Sequence, residues 1–392
     1  MTDPKETAMT KAARVFKGTW VAALAAVMLS GMLIAMVGCK SGTEPTASVS
    51  KPSDQDISDA YIYFLGRLIV LRQEQLDFEK EGFQWKKVIY RTPGGVAWAN
   101  PNLDVAYSEA WVAVDENTCV QLEIPKITGR YYTWQMLNGW GETLLNINDR
   151  TYPQKPYGKY AICLKGSNAN VPADALRVDL PTKTSRVLSR VELGEDSKEA
   201  VRLQQQFKLT PLGDVKVENY PKIAPFENTK LPGKDAFDDA SAILANQRDI
   251  NEGMEPLQAK VKAIEAYLKS GPDAQARVNE VIKTKALAEF MEHAKHLGLT
   301  QNGWTRAKQA GNYGSDYAMR TVANFEGLWA NNDGEVTYFG VAGVDGGKTF
   351  SQTFPNDALP KSKVRYFWSV IVVDSKEYKV IPNPLHRFLV NT

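Results

Sequence analysis

Histidine is scarce in this chain, with three in 392 residues, and cysteine is equally so. His293, His296 and His386 are the only imidazoles, and no His-Glu-x-x-His run occurs, so a zinc site has little to build on. His293 and His296 stand three apart beside Glu292 in a charged helical stretch that reads as a solvated face. Gly-x-Ser-x-Gly and Gly-x-x-x-x-Gly-Lys are also missing, which removes the nucleophile elbow and the phosphate loop. Surplus charge is lacking too. The formal net charge is +2, and Lys5, Lys11, Arg14 and Lys17 against Asp3 and Glu6 account for it, so the remainder is balanced. A balanced chain has no overall field to draw it onto nucleic acid. No metal, no cofactor and no nucleic-acid partner is therefore expected.

What is present begins with an apolar leader. Lys11, Arg14 and Lys17 precede an uncharged run from Gly18 to Gly38, rich in Ala, Val, Leu and Met. A basic segment, an apolar run and a small residue before the cut make a secretory signal over residues 1–38. Met36-Val37-Gly38-Cys39 resembles the lipobox of bacterial lipoproteins, although Leu and a small residue are commoner where Met36 and Val37 stand. The resemblance implies a diacylglycerol on the Cys39 thiol and a further acyl chain, of the palmitate class, on its freed amine. Lys40 in place of Asp favours, by the same resemblance, the outer membrane. The expected address is the cell envelope on the periplasmic face, with the bilayer as partner through the N-terminal lipid. An uncleaved transmembrane anchor is the competing reading, since about 20 apolar residues span a bilayer. The other two cysteines, Cys119 and Cys163, lie in strand-like runs, and either a disulfide or two separate buried thiols fits them.

Length predicts two or three units, and 43% hydrophobic with 23% charged residues is a globular composition. Residues 39–52 read as a lipidated cysteine and a flexible tether rich in Ser, Thr and Pro. Ser53 and Asp56 have the spacing of a capping box, and apolar residues from Ile57 to Leu71 follow at helical spacing along one face. Ala106–Val114, Cys119–Ile124, Tyr131–Leu137 and Tyr160–Leu164 read as strands, with Asp115-Glu116-Asn117-Thr118 as a hairpin loop between the first two. That gives a helix plus an antiparallel β-sandwich over 53–190. A mostly helical middle over 191–310 follows, with Leu257, Val261, Ile264 and Leu268 as one buried stripe. Residues 311–392 return to strands at Val336–Val341, Lys348–Phe354, Val364–Val373 and Tyr378–Ile381, with a glycine-rich hairpin turn at Gly340 to Gly347.

Two blocks carry a family resemblance. Asn100 to Ser108, Gly129-Arg130-Tyr131-Tyr132 and Asn148 to Thr151 resemble the domain-of-unknown-function family numbered 1254. Arg320, Gly327 to Asn331, Glu335 to Tyr338, Leu359-Pro360, Phe367-Trp368-Ser369, Asn383-Pro384 and Arg387 resemble its usual companion, numbered 1214. The resemblance implies an α+β multidomain protein: an immunoglobulin-like β-sandwich, a helical insertion and a C-terminal jelly-roll β-sandwich. It implies no established activity. Val105 stands where relatives usually carry Thr, so no hydroxyl is available there.

The candidate ligand-binding residues come from two clusters. Asn102, Asp104 and Tyr107 form either a turn entering a strand or a polar cluster at a sandwich end. Arg130, Tyr132, Gln135 and Asn138 set polar groups beside aromatic ones, which suits a small polar or sugar-like ligand; the competing reading is a sandwich core with hydrogen-bonded aromatic tips. Arg150 could hold a carboxylate or pin its own loop through Asp149. Two functions follow: a small-molecule-binding or scaffolding envelope protein, or an enzyme acting on a small polar or carbohydrate-like molecule. No catalytic residue is identified, and oligomeric state leaves no mark on the sequence.

Overall fold

A computed structural model describes residues 50–94, 98–217, 219–296 and 298–391. The leader, Cys39 and most of the tether lie outside the described residues. Helix α1 (Asp54–Glu79) opens the ordered chain with the expected cap: the Asp56 amide donates to Ser53 Oγ at 3.0 Å, and the Ser53 amide to Asp56 Oδ2 at 3.3 Å. From Ala60 to Leu71 the helix is buried on every side rather than on the one expected face, with Arg67 as inaccessible as Phe64 and Leu65. The reason is its position between a sheet on one side and helices on the other.

The strands of the first half form two sheets. These are β1 (Ile89–Tyr90), β2 (Val105–Ala113), β3 (Val120–Ile124), β4 (Tyr132–Leu137), β5 (Thr143–Ile147), β6 (Gly158–Leu164), β7 (Leu176–Leu180) and β8 (Thr184–Glu192). After helix α2 (Ser197–Gln204) comes β9 (Lys208–Pro211). One sheet has the order β1-β2-β8-β4-β5 and is antiparallel throughout; the other has the order β7-β6-β3-β9, with β6 and β7 parallel. Because β2 and β3 lie in different sheets, residues 115–118 are not the expected hairpin loop. They carry the chain from one sheet to the other, with Asp115 Oδ1 accepting from the Asn117 and Thr118 amides at 2.9 and 2.8 Å. Val112, Leu122, Trp134, Met136, Tyr160, Ile162, Val187 and Phe207 pack the space between the sheets. Cys119, the residue before β3, is disulfide-bonded to Cys163 of β6, with Cα atoms 4.5 Å apart.

Helices α3 (Ala240–Asn246), α4 (Glu255–Leu268), α5 (Pro272–Val281), α6 (Leu287–Lys295) and α7 (Tyr317–Glu326) close around α1. The expected stripe on α4 is in place, with Val261, Ile264 and Leu268 buried in this core. His293 and His296 are exposed at the end of α6, and among the described residues no group of three or more His, Cys, Asp or Glu is placed to hold a metal.

The last quarter departs from the expected run of strands. Between α6 and α7 lie β10 (Gly298–Gln301) and β11 (Trp304–Ala307), joined by β12 (Phe339–Gly340) in a three-stranded sheet. Further on, β13 (Ser369–Ile371) pairs with β14 (Leu389–Asn391), and a lone bridge links Val373 to Val380. No strand forms over 348–354, and Gly346-Gly347 makes a turn closed by the Lys348 amide on Asp345 O at 3.0 Å without paired strands beside it. Phe339 is 61% exposed and Leu385 73%. The apolar alternation that suggested strands is real, but among the described residues it meets no facing sheet, and pairing without a covered face is weak. The molecule is mixed α+β, with mainly antiparallel sheets and no barrel.

Candidate functional site

The inter-sheet face of the five-stranded sheet is almost wholly apolar, whereas its other face is polar and equally buried. Alternation along the strands creates this split. On β2 the odd positions Tyr107, Glu109 and Trp111 turn away from the sandwich core, and on β8 the even positions Arg186, Leu188 and Arg190 do so. On β4 and β5, Thr133, Gln135 and Asn146 join them, and Tyr131 and Asn148 extend the same face just beyond the strand ends. Tyr107 and Thr133 flank Arg190 directly across the ladder. The chain from Leu328 to Tyr338, with Tyr366 and Phe367, covers this face.

Side chains of the sheet and of the cover bond to one another throughout. Gln135 Nε2 donates to Thr143 Oγ1 at 2.7 Å and to Ala330 O at 3.1 Å, while its Oε1 accepts from Arg190. Asn146 and Asn331 exchange amide hydrogen bonds at 2.9 and 3.1 Å. Glu335, buried in the cover, accepts from Asn148 Nδ2 at 2.9 Å, from the Tyr131 hydroxyl at 3.2 Å and from Arg150 Nη2 at 2.5 Å. Arg150 lies over the rings of Tyr131 and Tyr366, 4.8 and 5.4 Å from their centroids. Burial raises the phenols of Tyr107 and Tyr131 above their ordinary range, so both stay protonated and can donate.

The residues singled out from sequence fall into three groups. Tyr107, Gln135 and Arg150 belong to this polar layer. Asn102, Asp104 and Arg130 gather at its edge: the Asn102 amide donates to the Tyr107 hydroxyl at 3.3 Å, and Asn102 Oδ1 accepts from the Asp104 amide at 3.0 Å. Arg130 Nη1 donates to Glu192 O and Leu193 O, and the Leu193 amide returns to Asp104 O at 2.8 Å. Asp104 Oδ1 accepts from Asn391 Nδ2 at 2.7 Å, while its Oδ2 is buried and has no hydrogen-bond partner among the described residues. Tyr132 and Asn138 stand apart. Tyr132 faces the sandwich core and donates to Pro156 O at 2.6 Å; Asn138 caps the β4–β5 turn, accepting from the Trp140 and Glu142 amides at 2.9 and 3.0 Å. Arg150 pins its own loop through Asp149 at 2.7 Å and also bonds Glu335 of the cover. Arg190, Tyr131, Glu335 and Tyr338 were not among the residues chosen from sequence.

Among the described residues, two recesses lie elsewhere and are open to solvent. One of about 310 Å³ is lined by Pro52, Asp56, Pro256 and Lys260, and one of about 350 Å³ by Glu123, Lys159, Gln206 and Lys208. Burial pushes two carboxyls up to about 7, Glu74 on α1 and Glu326 at the end of α7, and neither is bonded to the side chains of the polar layer.

Residues 87–211 match the family model described as "Protein of unknown function (DUF1254)", and residues 340–392 match "Protein of unknown function (DUF1214)". The chain carries both domains. The DUF1254 match spans β1 to β9 and so contains both sheets, and the DUF1214 match takes in Tyr366, Phe367 and Asn391, which reach back to them. Among solved structures, the VPA0106 protein from Vibrio parahaemolyticus is similar with a TM-score of 0.53 at 16% identity, over 86% of this chain and 84% of that one. An uncharacterized protein from Burkholderia cenocepacia is similar with a TM-score of 0.25 at 14% identity, over 52% of this chain and 48% of that one. At such identity the first likeness speaks for the fold alone. No curated protein matches the chain.

Proposed function

We propose that this DUF1254–DUF1214 chain is an exported, lipid-anchored envelope protein that binds a small polar molecule on the outer face of its five-stranded sheet. One observation carries the binding reading: the two blocks of motif residues, far apart in sequence, meet there through side chains. Tyr131, Asn148 and Arg150 of the first block converge on Glu335 of the second. Aromatic rings interleaved with amides and a guanidinium suit a ligand that offers both an apolar surface and hydrogen-bonding groups. The enzyme reading gains less support, since neither raised carboxyl lies in this layer.

The leader supports the anchor, and the Cys119–Cys163 disulfide fits an oxidising compartment. No helix among the described residues is long and apolar enough to cross a membrane. At finer grain we read the paired sheets as immunoglobulin-like and the C-terminal strands as part of a jelly roll, an arrangement the facing sheets and antiparallel ladders are compatible with. Two experiments test the function. Mass spectrometry of the native polypeptide should find an acylated N-terminal Cys39, and Cys39→Ser should abolish it and release the protein from membranes; an intact, unacylated leader that still holds the membrane defeats the anchor. A thermal-shift screen of polar metabolites should return a ligand whose stabilising effect Gln135→Ala removes. A ligand that stabilises both proteins equally binds elsewhere.

A further inference from the structure

Strand β8 carries two buried arginines on one face, Arg186 and Arg190, and they are compensated very differently. Arg186 donates to Asp77 Oδ2 at 2.9 Å through Nε and to Glu109 Oε2 at 2.9 Å through Nη2. Arg190 is 6% exposed, and among the described residues no carboxylate lies within 4.0 Å of it. Its nitrogens meet neutral oxygens instead: Gln135 Oε1, Trp329 O at 3.4 Å and Leu188 O at 3.5 Å, with the Tyr107 hydroxyl beside them. Nη1 holds Gln135 Oε1 and reaches Leu188 O, whereas the contact of Nη2 is Trp329 O, at the outer limit of a hydrogen bond, so the Nη2 edge is held loosely. Burial opposes the charge on Arg190, yet the phenolic oxygens of Tyr107, Tyr338 and Tyr131 hold its pKa above the ordinary value, so it remains a guanidinium.

A buried charge without a counter-charge is costly, and proteins tolerate it where something else supplies the opposite sign. The groups nearby do not. Glu335 is already bonded by Arg150, Asn148 and Tyr131, and the buried Tyr107 and Tyr131 phenols keep their protons. A guanidinium with a loosely held edge, beside the Tyr107 hydroxyl and with that of Tyr338 within electrostatic reach, is a receptor for a planar or tetrahedral oxyanion, which accepts from the fork and from hydroxyls together. The cover over it is irregular chain. Trp329, whose carbonyl meets Nη2, has φ of 72°, a left-handed conformation costly for a bulky residue, and Tyr338 at the rim is 46% exposed.

We propose that Arg190, with the hydroxyls of Tyr107 and Tyr338, binds a small oxyanion, a carboxylate or a phosphate group, that completes the charge balance of the polar layer. This rests on the ligand-binding reading of that layer and narrows it to anionic ligands. The test uses the full-length chain in detergent, with melting followed by tryptophan fluorescence against succinate, inorganic phosphate, glucose, and sodium chloride at matched ionic strength. Succinate or phosphate should give a saturable rise in melting temperature that chloride does not, and the stronger of the two identifies the oxyanion. Arg190→Gln should lose the rise, and Arg190→Lys, which keeps the charge without the fork, should weaken the apparent Kd about tenfold or more. Should Arg190→Gln not fold, Tyr107→Phe and Arg190→Lys still report on the site. Oxyanion effects no larger than chloride, or equal in wild type and all three variants, overturn the proposal. If glucose alone stabilises the wild type and Gln135→Ala abolishes that, the anion assignment fails while the polar-ligand reading survives; if neither class binds, both fail.

Discussion

Arg186 and Arg190 share a strand, a face and a depth of burial, but they solve the same electrostatic problem in opposite ways. At the α1 end of β8, Asp77 and Glu109 bracket Arg186, Trp111 Nε1 donates to Asp77 at 2.8 Å, and Arg91 closes on Glu109 at 2.9 Å. That network joins the central helix to the sheet and leaves little unanswered charge. At the other end, Arg190 looks toward neutral oxygens and a cover of irregular chain. The contrast separates a group that cements two layers from a group left waiting for one. Arg67 on α1 is intermediate: Glu74 stands off at 3.8 Å, and among the described residues Nε, Nη1 and Glu74 Oε2 have no hydrogen-bond partner.

The largest expected effect comes from exchanging each strand arginine for methionine without added ligand. Arg186→Met leaves buried Asp77 without a cation and Glu109 with Arg91 alone, and should cost about 3–5 kcal/mol in urea unfolding, whereas Arg190→Met strands no carboxylate and should stay within about 1 kcal/mol of the parent. Equal losses would erase the distinction. The intermediate pair gives a pH signature. Burial raises the Glu74 carboxyl from 4.5 to about 7, so its contribution is complete below pH 4.5 and is lost as pH rises through 7. The wild type should therefore shed stability across that window with a slope of at most roughly 1.4 kcal/mol per pH unit, and Glu74→Gln should flatten it and be the more stable protein above pH 7. A parallel pair of pH profiles would mean that Glu74 is ionised throughout. The smallest effect belongs to Tyr131→Phe, which removes one of three donors on Glu335 and should cost about 0.5–1.5 kcal/mol by the same unfolding measurement.

How much of this was legible in the sequence follows from where each strand lies. The segments β2, β3, β4 and β6 were recognisable because their Val, Ile, Tyr and Trp content is high, and α1 and α4 because capping or periodicity marks them. Strand β8, the sheet's centre, was missed. Its alternation of Val187 and Val191 with Arg186 and Arg190 reads as a half-solvated strand, yet both faces are buried. No local pattern announces an arginine that will be covered by the distant chain around Trp329. The same limit hid Glu335 and Tyr338, which gain their meaning only from what lies beneath them. Tyr132 was drawn in for the converse reason: it alternates with Tyr131, and sequence alone does not say which of two adjacent tyrosines faces the core. The C-terminal strands were overread because apolar alternation supplies a sheet's chemistry without guaranteeing the second layer that stabilises it.

Helix α1 has a consequence for how the molecule is made. Its backbone is gripped late in the chain: the Thr321 hydroxyl donates to Ile62 O at 2.8 Å across 259 residues, and a Cβ added to Gly66 would lie 2.6 Å from that same hydroxyl. Emerging early in synthesis, this oily segment can rest on the sheet and on α3 to α6 as they form but is not enclosed until α7 arrives, so completing the core depends on very distant pairing and is intrinsically slow. In the interval the helix is an aggregation risk, and a holding chaperone that shields it would speed recovery of native protein more than one acting on the sheets.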